Sequence, residues 1–216
     1  MESGTLAATR AAYDAVAEQY AERFGDAMRE PVLDRAMMSA FAELVREARP
    51  GAVADVGCGP GHVTGHLRDL GLDVFGVDLS PQMLAIARRD HPDLTFLEGS
   101  LSSLEIEDGS LGGVPSRYSI VHLPPEELPE AFAEFGRVLA PGGHLALAFF
   151  AHEDDSQLAW AFDHKVATAY RLSIPRVAAL LENAGFEQVA RLVQAPGRDR
   201  VRGFHHAHLL AQRRTG

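Results

Sequence analysis

The sequence predicts an α/β fold in one domain: a seven-stranded, mostly parallel sheet with helices on both faces. Two observations carry this expectation. Strand-like and helix-like segments alternate through most of the 216 residues, the pattern of repeated strand-helix-strand crossovers. A short apolar strand starting at Ala52 also runs without a break into three alternating glycines, Gly57, Gly59 and Gly61. Such glycines allow a tight strand-to-helix turn and leave no side chain between the main chain and a small ligand.

The elements follow in order. Helices are predicted over Thr5 to Phe24 and Pro31 to Glu47, ahead of the first strand. The glycine turn leads into a helix over His62 to Leu70. The second strand is Leu72 to Asp78, and its helix opens with Ser80 as N-cap and Pro81 at the first helical position, ending near Asp90. Leu94 to Glu98 reads as the third strand and Ser116 to His122 as the fourth. A helix over Pro125 to Leu139 precedes the turn Pro141-Gly142-Gly143 and the fifth strand, His144 to Phe150. The helix over Pro175 to Ala184 stops at Gly185, a C-cap glycine. Gln188 to Val193 and His205 to Ala211 are the last two strands, joined by a loop over Ala195 to Asp199. Hydrophobic content of 46% suits one core of ordinary size.

Composition excludes several functions. A formal charge of -10 repels a polyanion, so a nucleic-acid substrate is not expected. No apolar window is long enough to span a bilayer and no leader pattern opens the chain, so no membrane partner and a cytoplasmic location are expected. The lone Cys58 leaves no partner for a disulfide or a cysteine zinc cluster. It reads either as a small filler of the turn or as a reactive thiol. His206 and His208 share a strand face, which invites a metal reading, but no matching cluster completes one and no metal is expected. The acidic run Glu153-Asp154-Asp155 is a solvated loop or a contact for a cationic acceptor.

Two enzyme classes use a turn of this kind. In dinucleotide dehydrogenases the fingerprint is G-x-G-x-x-G, whose third glycine is replaced here by His62. The run Asp55 to Gly61, D-x-G-x-G-x-G, instead resembles the first motif of class I S-adenosylmethionine (SAM) methyltransferases, with their Rossmann-like sheet closed by an antiparallel C-terminal hairpin. Asp78-Leu-Ser-Pro-Gln-Met83 resembles that family's D-x-S-x-x-M segment, and Arg137-Val-Leu-Ala-Pro-Gly-Gly its turn before the fifth strand. Tyr13-Asp-Ala-Val-Ala-Glu-Gln-Tyr20 resembles the helix with which small-molecule methyltransferases cover the site, so residues 1–48 are expected to cover the cofactor within a single domain, 1–216.

The resemblance implies SAM as cofactor and a small-molecule acceptor methylated on oxygen or nitrogen. Asp55, Gly57, Cys58 and Gly59 would form the glycine turn around the cofactor, and Asp78 would accept hydrogen bonds from both ribose hydroxyls. Leu79 and Met83 would pack near the adenine, with Ser100, where the family usually has aspartate, and Leu101 at its edge. Tyr118 would pass beside the methionine part and Tyr20 would reach its carboxylate. His122 would approach the acceptor, either positioning it or acting as general base. Trp160, Phe162 and Tyr170, in the short insertion Ala151 to Leu172, are candidates for an acceptor pocket. Two other readings stay open: a SAM-binding protein of the same fold that transfers no methyl, and an NAD-dependent oxidoreductase.

Overall fold

A computed structural model of the chain describes residues 4–24, 32–48, 51–198 and 202–215. Two helices come first, α1 (Gly4–Phe24) and α2 (Val32–Ala48). The alternating part follows as β1 (Ala52–Val56), α3 (His62–Asp69), β2 (Val74–Asp78), α4 (Pro81–Asp90), β3 (Phe96–Glu98), β4 (Leu111–Arg117), α5 (Leu128–Val138) and β5 (Leu139–His152). The chain then adds β6 (Ala159–Asp163), β7 (Thr168–Ser173), α6 (Ile174–Asn183), β8 (Phe186–Gln194) and β9 (His205–Arg213). Pro31 and Asp199, which bound a predicted helix and the predicted hairpin loop, lie outside the described residues.

Strands β3, β2, β1, β4 and β5 lie side by side and parallel. β9 runs antiparallel on β5 and β8 antiparallel on β9, which is the expected closing hairpin. The central strands are buried on both faces, as parallel strands covered by helices must be. Leu145, Leu147 and Phe149 of β5 face the layer that holds Phe132 and Phe135 of α5, while Ala146 between them faces Met38, Phe41 and Val45 of α2. Arg137 fastens α5 to the loop before β4: it donates to the carbonyls of Leu104 and Ile106 at 2.9 and 2.8 Å, while Glu134 beside it accepts the Leu104 N–H at 2.6 Å.

Two features differ from the sequence expectation. β6 and β7 form an additional antiparallel hairpin within the segment expected to be a plain insertion, and β7 pairs in parallel with the tip of β5 through Ala151 and His152. Among the described residues the sheet therefore holds the seven expected strands and this added pair. Trp160 stacks on His152 at 4.0 Å between ring centres and pins this hairpin to β5. The fourth strand is Leu111–Arg117 rather than Ser116 to His122; the chain turns at Tyr118, and Ile120–His122 is a single 3-10 turn.

Gly112, Gly113 and Pro115 look like strand breakers, and packing explains why they are not. A Cβ on Gly112 would lie 2.6 Å from the Gly51 carbonyl oxygen, and one on Gly113 would lie 2.7 Å from the Phe41 ring. The glycines let α2 and the entry to β1 approach the strand closely. Pro115 is tolerated because the ladder between β4 and β1 is registered at Ala52 and Val53, opposite Leu111 and Gly113, whereas the ladder with β5 continues past the proline. We predict that Gly113→Ala lowers stability by about 1–3 kcal/mol, the range for overpacking a filled core. Urea denaturation checks it, and an unchanged midpoint would mean that α2 has slack over β4.

Candidate functional site

The carboxyl ends of β1, β2 and β4 open onto one cavity, the place where parallel sheets hold ligands. Gly57 and Gly59 line it, with Asp78, Leu79, Met83, Leu101, Arg117, Tyr118, Ser119 and His122. Thr5, Leu6, Thr9, Tyr13 and Tyr20 of α1 close it from above. Of the sequence candidates, Tyr20, Gly57, Gly59, Asp78, Leu79, Met83, Leu101, Tyr118 and His122 are brought together here. Asp55, Cys58 and Ser100 are not among the residues lining the cavity.

The glycine turn is shaped by contacts on one side and open space on the other. Gly57 has φ +83°, and a Cβ there would lie 2.4 Å from the Ser119 Cβ. Gly59 has φ +53°, and its Cβ would meet nothing within 4 Å, so bare main chain faces the cavity. Asp78 holds the turn: its Oδ2 accepts the Gly59 N–H at 2.8 Å and its Oδ1 accepts the Ser80 N–H at 2.8 Å. Each oxygen keeps a further acceptor position for a ligand hydroxyl. Removal from water pushes the Asp78 carboxyl upward in pKa, and these backbone N–H groups pull it back.

Asp55 and Cys58 lie behind this surface. Asp55 is buried and accepts the Thr64 hydroxyl at 2.7 Å. Cys58 packs with Leu84, Ala87 and Phe96, and a Cβ on Gly76 would lie 2.7 Å from its sulfur. Burial raises the thiol pKa well above the ordinary value, and the side chain fills space in this cluster. Ser100 bridges to Ser103 and its hydroxyl sits 3.3 Å from that of Ser102, which leaves Leu101 as the lining residue of that loop.

Polar residues of the helix α1 fasten it over the site. Arg10 donates to the Leu79 carbonyl at 2.9 Å and pairs with Glu98. Asp14 accepts the Ser80 hydroxyl at 2.6 Å and the Gln82 N–H at 3.2 Å, while the same Ser80 oxygen caps α4 by accepting the Met83 N–H at 3.1 Å. Tyr13 and Tyr20 lie seven residues apart, hence on one helix face, and meet edge to face at 5.7 Å.

The Tyr13 hydroxyl sits 2.7 Å from His122 Nε2, and His122 Nδ1 sits 3.0 Å from the Thr168 carbonyl oxygen on β7. A carbonyl only accepts, so Nδ1 carries the proton and Nε2 accepts from Tyr13. Burial lowers the His122 pKa and raises that of Tyr13. The pair is therefore a neutral imidazole with its basic nitrogen on a protonated phenol. His164 lies 5.1 Å from His122 between ring centres, and burial first, then the neighbouring imidazole and the Arg202 guanidinium, bring its pKa down to about 4.

Sequence reasoning missed Arg117. It pairs with Asp34 of α2 at 2.9 Å, with 7% and 4% of their side chains exposed, and Asp34 also accepts from Gln194 at 2.8 Å. His208 Nε2 lies 3.0 Å from the Gln194 amide nitrogen and 3.6 Å from Asp34. This buried network ties the cavity floor to α2, β8 and β9. Its only sequence signal is a charged residue at the end of a buried strand.

Residues 53–143 match the family described as a methyltransferase domain. The uncharacterized methyltransferase sll0829 of Synechocystis sp. is 30% identical over 153 residues, 67% of this chain and 71% of the relative. The malonyl-(acyl-carrier protein) O-methyltransferase of Pectobacterium atrosepticum is 36% identical over 110 residues, 51% of this chain and 43% of its own. The chain spans under half the length of the first curated relatives it matches, 43%, 44% and 41%. Among solved structures, magnesium protoporphyrin IX methyltransferase from Synechocystis PCC 6803 with bound SAM shares the fold at a TM-score of 0.71 and 19% identity, over 99% of this chain and 100% of that one. The chain belongs to the class I SAM-dependent methyltransferase family. That membership removes the nicotinamide oxidoreductase reading.

The buried Asp55 gives a testable pH effect. Its pKa rises from 3.8 to about 6, first through burial, against the opposing Thr64 bond. A carboxyl whose folded pKa is raised binds its proton more tightly when folded, so its stabilising contribution is complete below pH 3.8 and is lost as pH climbs through 6. We predict that the stability of Asp55→Asn relative to the unsubstituted chain rises by about 2 kcal/mol between pH 4 and 7. Chemical denaturation across that range measures the difference, and a constant difference would contradict the assignment.

Proposed function

We propose that this protein binds SAM in the cavity and transfers its methyl group to a small-molecule acceptor, on oxygen or nitrogen. The observation that carries the reading is the meeting of Gly59, Asp78 and the Tyr13-His122 pair around one cavity. The residues fit the cofactor. Gly57 and Gly59 offer bare main chain, Asp78 has acceptor positions for two ribose hydroxyls, and Leu79, Met83 and Leu101 supply an apolar slot for the adenine. Tyr118 and Tyr20 then stand beside the amino-acid portion.

SAM when bound supplies a methyl on a sulfonium centre, an electrophile with a neutral sulfide as leaving group. The protein's work is alignment and proton removal. α1, held down by Arg10, Tyr13 and Asp14, excludes water. His122, neutral and oriented by the Thr168 carbonyl, keeps a basic Nε2, and Tyr13 is bonded to it. A proton leaving an acceptor hydroxyl or amine passes to Nε2 directly when Tyr13 swings aside, or through the Tyr13 hydroxyl. The relatives act on chemically different acceptors by name, so the acceptor is proposed by class only. No helix among the described residues is long and apolar enough to cross a membrane, and we place the activity in the cytoplasm, on small molecules rather than nucleic acid.

Incubation with methyl-labelled SAM and a panel of small phenols, carboxylic acids and amines tests the reading. Label is expected in at least one extracted acceptor. Label in none of them, with SAM bound but unconsumed, would support instead a SAM-binding protein that transfers no methyl.

Two variants sharpen the assignment. Asp78→Ala should weaken SAM binding by roughly one to two decades, for loss of charge-assisted bonds worth about 1.5–3 kcal/mol. An unchanged dissociation constant with a normal circular dichroism spectrum would contradict a ribose role. With the acceptor in hand, His122→Ala should lower turnover by roughly 10² or more and leave SAM affinity nearly constant. Full activity would leave alignment alone as the source of catalysis.

A further inference from the structure

Three histidines near the C-terminus, His205, His206 and His208, remain outside the mechanism above. His208 belongs to the Asp34 network. His206 does something different. It lies on β9 opposite Phe150 of β5, and its Nδ1 is 2.8 Å from the hydroxyl of Tyr118, a residue that lines the ligand cavity.

Tyr118 has φ +53°, a left-handed conformation that a residue with a bulky side chain rarely adopts and that its surroundings must impose. Two contacts flank it. Its N–H donates to the Ala148 carbonyl at 2.7 Å, and its hydroxyl is tied to His206, with the tyrosine ring 5.6 Å edge-on from the imidazole and 5.2 Å from the Phe150 ring. The next residue, Ser119, is the one that presses on Gly57: its hydroxyl donates to the Val56 carbonyl at 3.3 Å and lies 2.6 Å from the Ser116 hydroxyl. A Tyr118 that relaxed toward negative φ would carry Ser119 with it and release the glycine turn.

We propose that His206 is a positioning residue of the cofactor site: through the Tyr118 hydroxyl it holds the strained turn after β4 against the glycine turn after β1. The C-terminal hairpin thereby acts on ligand affinity from outside residues 53–143, the part that matches the family model. The inference rests on the reading of the cavity as a SAM site and adds a residue to it.

Calorimetric titration with S-adenosylhomocysteine tests it, in the full chain and in His206→Phe, Tyr118→Phe, the double variant and His206→Gln, with thermal unfolding as a check on the fold. Phenylalanine at 206 keeps a ring against Phe150 and loses the bond; glutamine keeps a polar partner. Each single Phe variant should bind about tenfold more weakly, a typical loss for one hydrogen bond. The double variant should lose no more than the singles, because both remove the same link. His206→Gln should recover at least half of the logarithmic loss. Affinity in His206→Phe equal to that of the unsubstituted chain, additive losses near a hundredfold, or no recovery with glutamine would each overturn the proposal. Should His206→Phe not fold, Tyr118→Phe, which removes one hydroxyl, decides alone: an unchanged affinity overturns it. If the unsubstituted chain itself fails to bind S-adenosylhomocysteine, the SAM reading falls first, and that outcome is distinct from an intact affinity that ignores position 206.

Discussion

The two oxygens of Asp78 accept backbone N–H groups from Gly59 and Ser80, and this joins the end of β2 to the glycine turn on one side and to the start of α4 on the other. Ser80 extends the chain of bonds: it caps α4 and donates to Asp14, which anchors α1 over the cavity. One carboxylate thus shapes the surface offered to a ligand and, through Ser80, helps hold the helix that covers it. Taking a carboxylate out of water is costly unless it is hydrogen-bonded. Here the compensating donors are main-chain groups of the two turns that the site requires, so the electrostatic need of Asp78 and the geometric need of the cavity are met by the same contacts.

The far end of the cavity follows a related logic with neutral groups. His122 and Tyr13 come from elements more than 100 residues apart in sequence, and burial moves their pKa values in opposite directions, each toward the uncharged form. In the proposed reaction the transferred group already carries the charge, and a neutral imidazole bonded to a neutral phenol suits it. Arg117 also lines the cavity, and it is committed to Asp34 in a buried pair. Removing one partner of such a pair is more damaging than replacing both.

Most of the fold was legible because its signals are local. The glycine turn, the Ser80-Pro81 start of α4 and the cap at Gly185 each dictate backbone shape through their own residue types. The parts that were misread depend on distant contacts. Gly112, Gly113 and Pro115 look like a loop until Phe41 and the Gly51 carbonyl are placed above them. The β6–β7 hairpin has no Gly or Pro at its turn, which instead passes through Lys165 at φ +77°. The site shows the same divide. Spacing placed Asp78, Leu79, Met83 and His122 at the cavity, but motif position does not fix side-chain direction, so Asp55 and Cys58, named with the turn, point behind it. Tyr13 and Tyr20 were both visible in one helical motif; that Tyr13 meets His122 depends on how α1 crosses α4.

Specific recognition of an adenosyl sulfonium compound, rather than a dinucleotide, is the claim on which the rest stands. Parallel calorimetric titrations with SAM and with NAD test it most directly. The account predicts saturable binding of SAM at one site per chain and no measurable heat with NAD. Saturable binding of NAD with no response to SAM would contradict it.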